Sequence, residues 1–244
     1  MKSIAELAAA LIAAHEGGPL LTQAPEALLP ADLDAVYRLQ DEIITQIGAV
    51  GGWKVAAGLG DPPFCSPIPA NRFLGTADQI DGEKHRIFLA EIEVAVRLGS
   101  DLPGTATPEA AEAAIASLHP AIELIGNPFI DRDATPRNLQ LGDLQSNGAV
   151  IVGKAMDRAL LDTLDALQVT LELDGKPVHA VDKGASWQDI VDAIAWLAGH
   201  AEQRGHGLKA GQVIITGARA LAPLNGAKMI EGVLGDWGRV NCGV

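Results

Sequence analysis

The sequence predicts an α+β fold, with helices framing a middle and end rich in strands. Three observations carry this. Ile87–Leu98 is a twelve-residue run of strand formers, Val169–Val181 is built as a hairpin, and helical periodicity is confined to separated segments. Strands and helices do not alternate regularly as they do in a parallel doubly wound sheet. G-x-G-x-x-G and Walker sequences are absent, so a nucleotide-binding fold has no local support.

Taken in order, residues 3–14 read as a helix, with Ser3 at the N-cap and Glu6 at capping-box spacing. Residues 17–30 carry Gly, Pro and Thr and read as loop. A second helix is expected over Asp32–Ile47, with Leu33, Val36, Leu39, Ile43 and Ile47 on one face. Gly48–Gly52 reads as a break, Trp53–Ala56 as a short strand, and the proline-rich residues 58–71 as an ordered loop. Ile87–Leu98 is the clearest strand. Thr107-Pro108-Glu109 opens a helix with an N-cap, an N1 proline and an acid at the positive helix end. That helix is expected to stop at His119-Pro120. Ala121–Ile125 and Ala149–Gly153 read as strands. Val169–Leu173 and Lys176–Val181 flank the turn Asp174-Gly175. Ser186–His200 reads as a capped helix, Gln212–Thr216 as a strand, and Met229–Asn241 as alternating strands. One domain is expected over 1–244, with a helical lobe (1–50) and a β-rich core (51–244).

Composition narrows the function classes. The 244 residues carry 18 Lys and Arg against 31 Asp and Glu, a formal charge of −13. Such a surface repels phosphate backbones, which excludes a general nucleic-acid binder. The four Trp, four Phe and one Tyr are too few for a base-stacking platform. With 48% hydrophobic and 20% charged residues the chain can bury a core. No apolar run approaches the roughly 18 residues that cross a bilayer, so no membrane partner is expected. The N-terminus reads as an amphipathic helix, not a signal peptide. Cys65 and Cys242 form no metal or redox motif, and a cytoplasmic location is expected.

The chemistry centres on Glu91-Ile92-Glu93. Side chains alternate in a strand, so the two acids share a face while Ile92, Val94, Val96 and Leu98 fill the other. Two rises of about 3.3 Å set them roughly 7 Å apart at the backbone, close enough for both carboxylates to reach one ion. Alternating acids are most often a solvated face. Here, however, Leu89 and Ala95 bound them on that same face. A third acid, Glu123, sits inside the apolar run Ala121–Ile125, where an unpaired acid is costly. Three carboxylates without histidine or thiolate suit a hard cation, Mg²⁺ or Mn²⁺ rather than zinc, with positions left open for substrate.

Four segments in register then resemble the fumarylacetoacetate hydrolase superfamily. They are Gly52-Trp53-Lys54-Val55, Glu91-Ile92-Glu93-Val94-Ala95, Pro120-Ala121-Ile122-Glu123 and Gly211-Gln212-Val213-Ile214-Ile215-Thr216-Gly217-Ala218. Within it, the branch of 2-keto-4-pentenoate hydratases and 4-oxalocrotonate decarboxylases is most similar, and Tyr37 and Gln40 also fit. The resemblance implies a mixed β-roll core with an N-terminal helical lobe, and Mg²⁺ or Mn²⁺ held by Glu91, Glu93 and Glu123. It implies a 2-oxo or 2-hydroxy acid as the small-molecule partner, with Lys54 beside it. Thr216, with the adjoining Gly217, falls near the substrate carboxylate, and Asp143 matches a family acid. Arg72 is a further candidate for a substrate carboxylate, although an exposed loop arginine is the commoner case.

The implied reaction is hydration of a small unsaturated acid of the 2-hydroxypenta-2,4-dienoate type, through an enolate whose charge the cation neutralises. Decarboxylation of an oxalocrotonate-type acid, hydrolysis of an acylpyruvate C–C bond, and a non-catalytic keto-acid-binding or partner subunit stay open. Hydrolysis normally needs an acid–base dyad, which is not legible near the N-terminus. Departures lie around the substrate: Ala56 stands where the family has Gly, and Leu144 where it has Asn. A lysine buried beside a cation is expected below its usual range. A homo-oligomer, or a complex with a related enzyme, is implied as well. Among the other groups, His119 reads as a helix-end or packing histidine, His85, His200 and His206 as solvated, and Cys65 as unreactive for want of a partner histidine.

Overall fold

The computed structural model describes residues 1–58, 60–76 and 78–244; the loop expected over 58–71 therefore falls in part outside the described residues. Helix α1 (Ile4–His15) starts where Ser3 Oγ accepts from the Glu6 N–H at 3.2 Å, while Glu6 turns back to the Lys2 N–H. Helix α2 (Leu33–Ile47) is capped by Asp32, which accepts from the Ala35 N–H, and ends at Gly48 with φ +124°. The two helices pack Leu7, Leu11, Leu39 and Ile43 into a lobe core with Phe129, Leu139 and Leu144.

The remaining elements are β1 (Val50–Val55), β2 (Cys65–Pro69), β3 (Phe73–Gly75), β4 (Ile87–Leu98), α3 (Pro108–Ala114), β5 (Ile115–Gly126), α4 (Arg137–Gly142), β6 (Asn147–Val152), β7 (Val169–Leu173), β8 (Lys176–Val181), α5 (Trp187–Gln203), β9 (Val213–Pro223), β10 (Met229–Leu234) and β11 (Gly238–Gly243). Short 3₁₀ turns cover Glu26–Leu28, Ala70–Arg72, Leu144–Ser146 and Arg158–Ala166. The helix α5 starts with the capping box Ser186–Asp189, and the β7–β8 turn has positive φ at both Asp174 and Gly175, as a tight hairpin requires.

Seven strands form a mixed sheet in the order β2-β1-β9-β4-β5-β6-β3, and four form a second in the order β11-β10-β7-β8. β1 runs parallel to β9 and β3 parallel to β6; the other pairs are antiparallel. The edge strands β2 and β3 are joined by only three residues, a span of about 10 Å at full extension. The two edges must therefore approach, and the sheet curls into the roll that the resemblance implied. The convex face buries Trp53, Ile92, Val94, Ile122 and Leu124 against the second sheet and α5. Gly232 lets the sheets close: a Cβ there would stand 2.8 Å from Ile92. The concave face holds a smaller apolar cluster of Ile68, Ala95, Ala121, Val150, Val213 and Ile215.

Several boundaries differ from the sequence expectation. The break at Gly48–Gly52 closes early, because β1 begins at Val50. Its glycines serve contact rather than flexibility: a Cβ on Gly52 would lie 2.0 Å from the Val213 carbonyl. Within the expected 58–71 loop, Cys65–Pro69 is a strand, which tolerates Pro67 and Pro69 because β2 is an edge. The helix expected to reach His119 stops at Ala114, and β5 runs from Ile115 straight through Pro120. Pro120 is accommodated where β6 has ended, its carbonyl accepting from the Gly153 N–H. The strand expected over Gln212–Thr216 continues to Pro223, through Gly217 at φ +105°.

Candidate metal centre

Antiparallel pairing puts Glu91 of β4 directly opposite Glu123 of β5, with Glu93 two residues along the same face. Each carboxylate offers an oxygen such that all three lie within 4.8 Å of one another. Glu93 and Glu123 are fully buried. Lys54 reaches across from β1 and donates to Glu123 Oε2 at 2.5 Å. Asn147, at the start of β6, donates through Nδ2 to Glu123 Oε1 at 2.8 Å. The Gly217 N–H donates to Glu93 Oε2 at 2.6 Å. The other oxygen of Glu93 is buried without a hydrogen-bond partner among the described residues.

The electrostatics are unbalanced in one direction. Burial raises the Glu91 carboxyl to about 7, and repulsion from Glu123 adds to it against the pull of Lys54. Burial, then Glu123 and Glu91, raise Glu93 well above the carboxylate range. For Lys54 burial works downward, but Glu123, Glu91 and Glu93 together outweigh it and hold the ammonium above its usual range. The lowered lysine expected from the sequence presumed a cation at its side; here three carboxylates face it directly. Fully ionised, three carboxylates against one ammonium carry two excess negative charges, which one divalent cation would balance; without it the two carboxyls are driven toward their neutral forms. The all-oxygen donor set and the orphaned Glu93 Oε1 fit a hard ion of that charge.

The other expected residues divide into two groups. Thr216 is buried near the centre, with its hydroxyl donating to the Val94 carbonyl at 2.7 Å. Together with the Gly217–Glu93 bond, this spends the Thr216 hydroxyl and the Gly217 N–H on the protein. Arg72 is no exposed loop arginine. It donates to the backbone carbonyl of Asn147, with no carboxylate within 4.0 Å among the described residues. Burial lowers its affinity for a proton, and Asp143, Glu16 and Glu123 only partly restore it. It also lines a cavity of about 230 Å³ with His15, His85 and Ala149.

Asp143 does not touch the carboxylates. Both its oxygens lie 3.0 Å from His15 Nε2, in a buried pair that ties α1 to the turn after α4. His15 is the histidine that sequence reasoning missed near the N-terminus. Its Nδ1 is sealed without a partner, and a Cβ on Gly126 would stand only 2.9 Å from it. Asn147 was missed as well, since nothing in the run Ser146-Asn147-Gly148 separates it from a turn residue.

Three histidines expected to be solvated are partnered instead, and His119 is the packing histidine that was one of its two readings. His119 lies in β5, with Nδ1 bonded to the Gly153 carbonyl and Nε2 to Ser117. His200 stacks on Trp196 at 5.0 Å and leans on Tyr37, while His206 pairs with Asp41. His85 bonds the His15 carbonyl. Cys65 is buried beside Arg204, and burial pushes its thiol up to about 12, as expected of an unreactive cysteine.

Comparison with known proteins follows the same lines. The family described as "Fumarylacetoacetate (FAA) hydrolase C-terminal" matches residues 60–231. A 4-oxalocrotonate decarboxylase of Pseudomonas sp. is 30% identical over 132 residues, which span 54% of this chain and half the length of that relative. The TodF product hydratase of Pseudomonas putida F1 is 27% identical over 220 residues, 82% of this chain and 80% of that one. The structure of 4-oxalocrotonate decarboxylase from Pseudomonas putida G7, complexed with magnesium and adipate, superposes with TM-score 0.81 at 20% identity, covering 98% of this chain and 96% of that one. Fumarylpyruvate hydrolase from Pseudomonas aeruginosa, in complex with Mn²⁺ and pyruvate, gives 0.57 at 16% identity over 79% and 88%. At these identities the two structures establish the fold.

Proposed function

Because the chain belongs to the fumarylacetoacetate hydrolase family, we propose that it is a divalent-metal-dependent lyase acting on small 2-oxo or 2-hydroxy acids. Hydration of a 2-hydroxypenta-2,4-dienoate-type substrate is the first reading. Glu91, Glu93 and Glu123 hold Mg²⁺ or Mn²⁺; the observation that carries this is the buried Glu93 Oε1, an acceptor with nothing to accept from. When bound, the ion supplies positive charge against the carboxylate and C2 oxygen of the acid.

The residues of the chain do the rest. Lys54 donates to Glu123 and is the proton source closest to it. Hydration requires a proton at the terminal diene carbon as the C2 hydroxyl becomes a ketone, followed by water at C4. Lys54 is placed to hold that proton and to oppose the charge developing at C2. Arg72 lacks a carboxylate partner and anchors the acid's own carboxylate. Thr216 and Gly217 border the substrate; the Gly217 N–H holds Glu93, and the Thr216 hydroxyl holds the adjoining Val94 carbonyl. Asp143 acts through His15, as a positioning residue for the wall of the site. Decarboxylation is a second reading, favoured by the 4-oxalocrotonate decarboxylase relative at 30% identity.

The test is turnover of 2-hydroxypenta-2,4-dienoate and, in parallel, of 4-oxalocrotonate, with Mg²⁺ and with chelator. Loss of diene absorbance only with metal supports hydration, and CO₂ release from the second acid supports decarboxylation. Metal binding with turnover of neither acid would instead point to a subunit that binds a keto acid without transforming it.

A further inference from the structure

Two buried oxygen acceptors at the carboxylate cluster, Glu93 Oε1 and Asn147 Oδ1, lack partners among the described residues. A cation accounts for the first. The second is a neutral amide oxygen, and it is held in place from three directions. Asn147 is fully buried. Its Nδ2 donates to Glu123 Oε1, its carbonyl accepts from Arg72, and its N–H donates to the Leu144 carbonyl. A carboxylate can only accept, so the amide nitrogen must face Glu123 and Oδ1 must face elsewhere.

The backbone leading into Asn147 is strained. Leu144, Gln145 and Ser146 have φ of +48°, +54° and +61°, three successive non-glycine residues in the left-handed region. Such stretches persist only where the surroundings force them, and they concentrate at functional sites. Here the strain fixes the residue that carries the orphaned acceptor.

We propose that Asn147 is a substrate-binding residue whose Oδ1 accepts a hydrogen bond from the C2 hydroxyl of the bound acid, favouring the 2-hydroxy or enol form over the 2-oxo form. This rests on the metal-and-acid reading of the site given above. A C2 hydroxyl has a hydrogen to give; a C2 ketone has none and would set two acceptors face to face. Satisfying a buried acceptor is worth more than merely adding a contact, because the unmet alternative is costly. Asn147 thus biases the site toward the form of the substrate in which C2 bears a hydrogen.

The test compares two probes, lactate (2-hydroxy) and pyruvate (2-oxo), titrated calorimetrically into the Mg²⁺-loaded protein. The ratio of their affinities reports Oδ1 independently of how firmly the ion itself is held. Asn147→Ala lowers the lactate preference about tenfold, and Asn147→Ser, which keeps an oxygen acceptor, retains part of it. An unchanged ratio in Asn147→Ala overturns the proposal. So does failure of the metal-loaded wild type to bind either acid, which leaves the metal assignment standing. Failure of the wild type to bind Mg²⁺ at all removes the reading of the site and this inference together.

Discussion

At Glu93 one oxygen is answered by the Gly217 N–H and the other by nothing among the described residues. A hydrogen-bonded carboxylate that is still driven toward protonation signals missing positive charge, and Lys54 supplies only part of it. Elsewhere burial acts on histidine with the opposite sign. His200 is held below its ordinary value by burial first and by the Arg204 charge second. The unfolded chain therefore takes up that proton before the folded one does. Its contribution to stability is present above the ordinary value of about 6.5 and is lost as pH falls through it toward the lower folded value. Across pH 8 to 5.5 the raised Glu91 and Glu93 carboxyls add stability as pH falls while His200 removes it, so in melting curves the midpoint of His200→Phe should fall less, or rise more, than that of the wild type; an equal slope in that variant would remove this account. The acids were legible because strand alternation alone puts Glu91 and Glu93 on one face. His200, His15 and Asn147 were not, because what decides their roles is the partner brought to them by distant segments: Trp196 and Tyr37, Asp143, and Glu123.

Among the elements, β4 matches its expected bounds, Ile87–Leu98, because twelve strand formers leave no competing structure. β5 was foreshortened: the helix signal at Thr107-Pro108 is real, but it is spent after seven residues, and Pro120 reads as a breaker until its position beyond the end of β6 is known. β2 was hidden by its own prolines. The glycines of β1 read as a break, whereas they are a close-approach surface. The Gly52 position admits no side chain, with the Val213 carbonyl 2.0 Å from any Cβ and the Phe73 ring 2.7 Å away. Gly52→Ala should push β1 away from β9, displace Lys54 two residues on, and cost about 3 kcal/mol or more of stability. Chemical denaturation measures this directly; a cost below about 0.5 kcal/mol, the level of a neutral surface change, would show that the two strands are not packed this closely.

For the molecule as a whole, curling of the seven-stranded sheet brings β1, β4, β5 and β6 around one interior and gathers Lys54, Glu91, Glu93, Glu123 and Asn147 there. The roll itself came from the resemblance across four motifs, since no local pattern dictates that β2 and β3 meet. Among the described residues no helix is long and apolar enough to cross a membrane. A chain of formal charge −13 that gathers three carboxylates round a single ammonium should gain stability from a divalent ion that holds those carboxylates ionised. Calorimetric titration of the metal-free protein with Mn²⁺ tests this most directly. One ion per chain is expected, with affinity reduced at least about tenfold in Glu91→Gln and in Glu93→Gln while the circular dichroism spectrum stays that of the wild type. Equal affinity in wild type and both variants would contradict the assignment of these carboxylates as the metal centre.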